Sequence, residues 1–117
     1  MKEEELKVTV RKEDNYAVIS TEGYINNLGG EKIAKECYQL MDEGVKNFIL
    51  NLAQSRVINS IGISILIEII EKVLEVKGNI SFCALTPTIA KTFRIMGLTQ
   101  YAKVFATEEE AIKAITG

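Results

Sequence analysis

The sequence contains no histidine and no tryptophan, a single proline and only two cysteines. Without histidine neither a Ser-His-Asp nor a Cys-His site can be assembled, and the commonest zinc ligand sets are missing. An enzyme is not expected, nor is a metal or a cofactor. Cys37 and Cys83 lie far apart, each inside an apolar periodic segment, which fits reduced thiols in a core better than a disulfide or a ligand pair. An excess of one charge is also lacking. The formal net charge is −2 and the basic residues are scattered, so nucleic acid is not an expected partner. The longest apolar run is broken by Glu68, Glu71 and Lys72 and there is no N-terminal signal-peptide core, so direct membrane insertion is not expected and the chain reads as cytoplasmic. Nothing resembling a repeat or a Pro/Gly/Ser-rich linker divides the chain, which predicts a single domain over 1–117.

What is present suits a small α/β domain. Hydrophobic residues make up 47% of the chain, enough for a core without disulfides or metals. Leu6, Val8 and Val10 alternate with polar residues as in a half-buried strand, and after the turn at Glu13-Asp14-Asn15 a second, more apolar strand runs over 16–21, pairing with the first as an antiparallel hairpin. A Gly- and Asn-rich stretch over 23–30 reads as a loop before a helix over 31–43, with Glu31 in its first turn and Gly44 as its cap. An apolar strand follows over 45–52, then a loop at 53–56.

A second helix is predicted over 61–76, with Ile65, Leu66, Ile69, Ile70, Val73 and Leu74 as its core stripe and Gly78 closing it. On its outer side stand Ser60, Ser64, Glu68, Glu71 and Glu75, with Ile63 and Ile67 read as surface-adjacent. A strand over 79–85, a helix capped by Thr86 with Pro87 at its first position and carrying Ile89, Phe93 and Met96 on one face, a short edge strand at 103–105 and a helix opened by the capping box Thr107-x-x-Glu110 complete the order β β α β α β α β α. Glu3, Glu4 and Glu5 at one end and Glu108, Glu109 and Glu110 at the other read as solvent-facing charge.

The junction Val57-Ile58-Asn59-Ser60-Ile61-Gly62-Ile63 is the most informative stretch. Val57 and Ile58 return briefly to the sheet layer, and Asn59 or Ser60 caps the longest helix. A hydroxyl at that position stands among unpaired N–H groups, which favour a phosphate placed there. Gly62 costs helix propensity, and close approach of a partner's backbone would account for it.

Asn59-Ser60-Ile61-Gly62-Ile63, together with Phe93-Arg94-Ile95-Met96-Gly97-Leu98 and the order of elements, resembles the STAS domain of bacterial anti-sigma-factor antagonists over nearly the whole chain. In that family an Asp precedes the serine, a small residue and then Gly and Leu or Ile follow it, and a Gly-Glu-Leu/Ile-Asp motif follows the second strand. The serine maps onto Ser60 and the glycine onto Gly62. Both family acids are amides here, Asn59 and, in Gly23-Tyr24-Ile25-Asn26, Asn26.

The resemblance implies a mixed sheet of four or five strands with about four helices mostly on one side. It implies phosphorylation at Ser60 and a partner-binding surface made of Asn26, Asn59, Ser60, Ile61, Gly62, Ile63, Ser64 and Ile67. The implied partner is an anti-sigma factor that is a serine protein kinase, with a phosphatase as a further candidate. The other reading kept open is a STAS scaffold or subunit of a transporter or signalling complex that binds constitutively.

Overall fold

Alternating apolar and polar residues build the first two strands, β1 (Lys7–Lys12) and β2 (Ala17–Glu22), into an antiparallel hairpin in which Val10 faces Ile19 and Arg11 faces Val18. In the computed structural model, which describes residues 5–117, three more strands extend this hairpin in sequence order. They are β3 (Asn47–Gln54), β4 (Asn79–Cys83) and β5 (Lys103–Phe105), each parallel to its predecessor. The N-terminal acids Glu3 and Glu4 lie outside the described residues.

Each parallel connection steps one strand further in the same direction. Right-handed crossovers then put all the connecting helices on the same side. The helices α1 (Asn27–Asp42), α2 (Ser60–Glu75) and α3 (Pro87–Ile95) do share one core with Ile19, Phe48, Leu50 and Phe82, the residues that point to that face of the sheet. Phe93 meets Phe82 edge-on, with ring centroids 4.9 Å apart, which fixes α3 on β4. The sheet is therefore mixed, with five strands, and the last helix, α4 (Glu108–Thr116), covers its other face through Ala111 against Val18, Ile49 and Cys83.

Helix ends follow the expected capping chemistry, with informative exceptions. Thr86 accepts from the Ile89 N–H, Thr107 from the Glu110 N–H, and the Glu110 carboxylate returns a bond to the Ala106 N–H. Helix α1 begins at Asn27, four residues before the predicted start, so Glu31 lies beyond its first turn. Gly29 and Gly30, read as loop from composition, are helical because α1 packs closely on α2: a Cβ on Gly30 would lie 2.8 Å from Ile65 Cδ1. At the end of α2 the left-handed position is taken by Lys77 (φ 60°), while Gly78 donates to the Val73 carbonyl and lets the Lys46 carbonyl approach where a Cβ would stand.

Three apolar residues sit elsewhere than predicted. Ile63 is 3% exposed and belongs to the core, whereas Leu74 and Met96 are 42% and 52% exposed and do not. The core stripe of α2 is thus rotated toward Ile63, Leu66, Ile70 and Val73, since α1 and the strand ends enclose the first turn of α2 as well as its middle.

Both cysteines are buried, and burial raises their thiol pKa values to about 12 for Cys37 and about 11 for Cys83. In the folded protein both should resist a thiol-specific reagent at neutral pH and react only on denaturation, which a timed labelling assay reads directly.

The N-terminus of α4 is tied to the sheet by Glu108, which accepts from Asn51 Nδ2 at 3.0 Å and from Arg11 Nη2 at 2.9 Å. These bonds, that from Asn51 first, hold its pKa below the usual carboxylate value. The stabilisation is therefore fully present above the unfolded-state pKa of about 4.3 and is lost as pH falls through the lower folded value. Glu108→Gln should reduce stability at neutral pH and lose its difference from the parent as pH falls through the lowered folded-state pKa of Glu108, measured by urea unfolding across pH.

Candidate functional site

Two helix N-termini meet at the carboxyl ends of β2 and β3. Past the end of β2 the chain makes a single parallel bridge, Ile25 to Ile58, in which the Ile25 N–H donates to the Val57 carbonyl at 3.0 Å and the Asn59 N–H donates to the Ile25 carbonyl at 3.2 Å. The next residue on each side is a cap. Asn26 Oδ1 accepts from the Gly29 N–H and Asn59 Oδ1 from the Gly62 N–H, both at 2.8 Å. The choice between Asn59 and Ser60 as the cap of α2 thus falls on Asn59. Asn and Asp cap equally well, so the two amides preserve the fold of this junction and remove two negative charges from it.

Ser60 is the first residue of α2 and is exposed. Among the described residues no side-chain hydrogen bond engages its hydroxyl; its backbone carbonyl accepts from Ser64 Oγ at 3.0 Å. Ser64 is exposed one turn on, and Ile61 beside Ser60 is 52% exposed. Gly62 is buried for an internal reason. A Cβ there would fall on the Ile25 carbonyl oxygen and lie 3.1 Å from Ile58 Cγ1, so the backbone that requires the glycine is the chain's own. Ile63 is buried, which corrects its reading as surface-adjacent, and the half-buried Ile67 lies two turns from Ser60.

Other exposed apolar side chains on the segments that enter the two helices are ones that sequence patterning passed over. Leu28 is 66% exposed, Val57 55% and Tyr24 37%, from the two bridged segments and the first turn of α1. Each follows or precedes a capping residue, where side chains are displaced from the core stripe; recognition of both Asn caps would have found them. The Thr21 and Ser55 hydroxyls form a buried hydrogen bond of 2.7 Å, tying the end of β2 to the loop before α2. Ser55, within the stretch 53–56 read as a loop, is fully buried because it closes this bond. No group of three or more His, Cys, Asp or Glu that could hold a metal is found among the described residues.

Solved structures with this fold include an anti-sigma factor antagonist from Mycobacterium paratuberculosis, 19% identical with a TM-score of 0.84 over 96% of this chain and 95% of that one. A putative anti-sigma factor antagonist from Thermotoga maritima is 14% identical, with a TM-score of 0.86 over 94% and 95% of the two chains. The Bacillus cell fate determinant SpoIIAA in its phosphorylated form is 23% identical, with a TM-score of 0.75 over 93% and 99%. The sequence profile of the STAS domain matches residues 7–111, the span from β1 to the first turns of α4, and the chain belongs to the STAS domain family.

Proposed function

We propose that this chain is a single STAS domain that works as a non-enzymatic, cytoplasmic anti-sigma-factor antagonist. Unphosphorylated, it binds an anti-sigma factor of the serine-kinase type through the Ser60 surface and so releases a sigma factor; phosphorylation of Ser60 switches it off. The observation that carries this is the position of Ser60: exposed at the first residue of α2, relieved of capping by Asn59, and next to the exposed Ile61, with Tyr24 and Val57 exposed on the two bridged segments that lead into the helices. Ser60, Ile61 and Ser64, with Asn26 and Asn59 at their edge, form the contact surface, and Gly62 and Ile63 support it from beneath. Phosphate adds a charge of about −1.5 to −2. At a helix N-terminus the domain itself tolerates that charge, whereas a partner closing over the apolar flank must desolvate it. Binding is lost without refolding. That a protein of the same fold has been solved in a phosphorylated form supports the reading.

Incubating the protein with a candidate serine-kinase anti-sigma factor from the same cell and ATP, followed by mass spectrometric mapping, tests the reading. Phosphate confined to Ser60 is expected; no phosphate on Ser60 and no complex with the kinase would overturn it. The neutral caps Asn26 and Asn59 favour a second reading, a constitutive scaffold or subunit of a transporter or signalling complex that uses the same surface. In that case Ser60→Ala weakens the contact and no phosphate dependence is seen.

A further inference from the structure

Along α2, beyond the Ser60 end, a groove of about 960 Å³ opens between the second half of this helix and the end of α3. Its apolar lining is Ile67, Ile70 and Leu74 from α2, and Met96, Leu98 and Tyr101 from the segment after α3. Tyr101 is 63% and Met96 52% exposed, and the adjoining Ile95, at 71%, is the most exposed large apolar side chain among the described residues. Among the described residues none covers these side chains.

The rim on the α2 side is acidic. Glu68, Glu71 and Glu75 line it against a single Lys72, and Glu68 is held in place by the Tyr38 hydroxyl, which donates to it at 3.1 Å. From Ile67 to Glu75 the wall runs about 12 Å, or a little over two helical turns. An apolar trough of that length with negative charge along one edge is complementary to a short amphipathic helix carrying lysine or arginine beside its apolar stripe. A second copy docked face to face would set the same glutamates against each other, and an anionic bilayer would be repelled by them. Glu71 stands about 16 Å along the axis from Ser60, so an occupant here need not touch the serine.

We propose that the α2–α3 groove is a second docking site, for a basic amphipathic helix of a partner protein, that works independently of the state of Ser60. The test uses a synthetic helical peptide with leucines at i, i+3, i+4 and i+7 and lysines elsewhere, its counterpart with glutamate for lysine, and backbone amide NMR of the whole chain. The lysine peptide is expected to shift amides over 67–75 and 95–101 and to bind equally well to Ser60→Asp. Glu71→Lys combined with Glu75→Lys, both exposed changes, is expected to weaken it at least about tenfold, and Met96→Asp to abolish it. Equal binding of the glutamate peptide, unchanged affinity after the double charge reversal, or shifts centred on the Ser60 end would overturn the proposal. Self-association in sedimentation that Met96→Asp removes would overturn it too, by naming a second copy as the occupant.

Discussion

Gly62→Ala is expected to destabilise the protein, although alanine in place of glycine inside an exposed helix would stabilise by about 1 kcal/mol. The added methyl would land on the Ile25 carbonyl oxygen, and that oxygen is already committed as acceptor for the Asn59 N–H. Backbone, unlike the tip of a side chain, cannot turn aside, so relief requires α2 to back away from the Ile25–Ile58 bridge. Overpacking of this kind costs about 1–3 kcal/mol or more, which outweighs the propensity gain. The change should appear as a lower urea midpoint, with partner binding reduced because Asn59, Ser60 and Ile61 move with the helix. Gly30→Ala is the internal comparison. Its methyl would meet the Ile65 side chain, 2.8 Å from Cδ1 and 3.2 Å from Cβ, with no backbone atom among its nearest neighbours, and the loss should be smaller. A Gly62→Ala variant as stable as the parent would refute the close-approach explanation.

The second large effect is expected at Ser60. Ser60→Asp should keep the fold, because a negative charge in the first turn of a helix stabilises it by about 0.3–1 kcal/mol. It should nonetheless lower affinity for the anti-sigma factor by at least about a hundredfold, roughly 2.8 kcal/mol, since the carboxylate would be buried against an apolar contact without a counter-charge. Ser60→Ala should bind within a few-fold of the parent and accept no phosphate. Calorimetric titration of the two variants separates the switch from a constitutive contact, for which alanine, not aspartate alone, would be the damaging change.

The pattern of elements was readable because most of them carry their own signals. Thr86-Pro87 and Thr107-x-x-Glu110 cap the helices that they precede, and the hairpin alternation gave β1 and β2 their facing partners. What sequence left open or misplaced depends on tertiary contact. Gly29 and Gly30 look like a loop until Leu6 and the Tyr24 carbonyl are seen against the first and Ile65 against the second, and the glycine of α2 looks like a partner contact until the Ile25 carbonyl is seen beside it. Likewise Ile63 is placed outside the core by helical periodicity alone, yet the bridged strand ends enclose it; the exposed apolar residues are Val57 and Ile61 instead. At the candidate site, Ser60 and the two amides were singled out by their pattern, whereas the exposure of Tyr24 and Leu28 was not legible, because no period marks residues that flank a cap.

The most direct measurement is a titration of the protein, before and after stoichiometric phosphorylation at Ser60, into the proposed partner, an anti-sigma factor of the serine-kinase type. Tight binding of the unphosphorylated form and loss of binding on phosphorylation, with unchanged circular dichroism, is the expected result. Equal affinity of the two forms would contradict the switch.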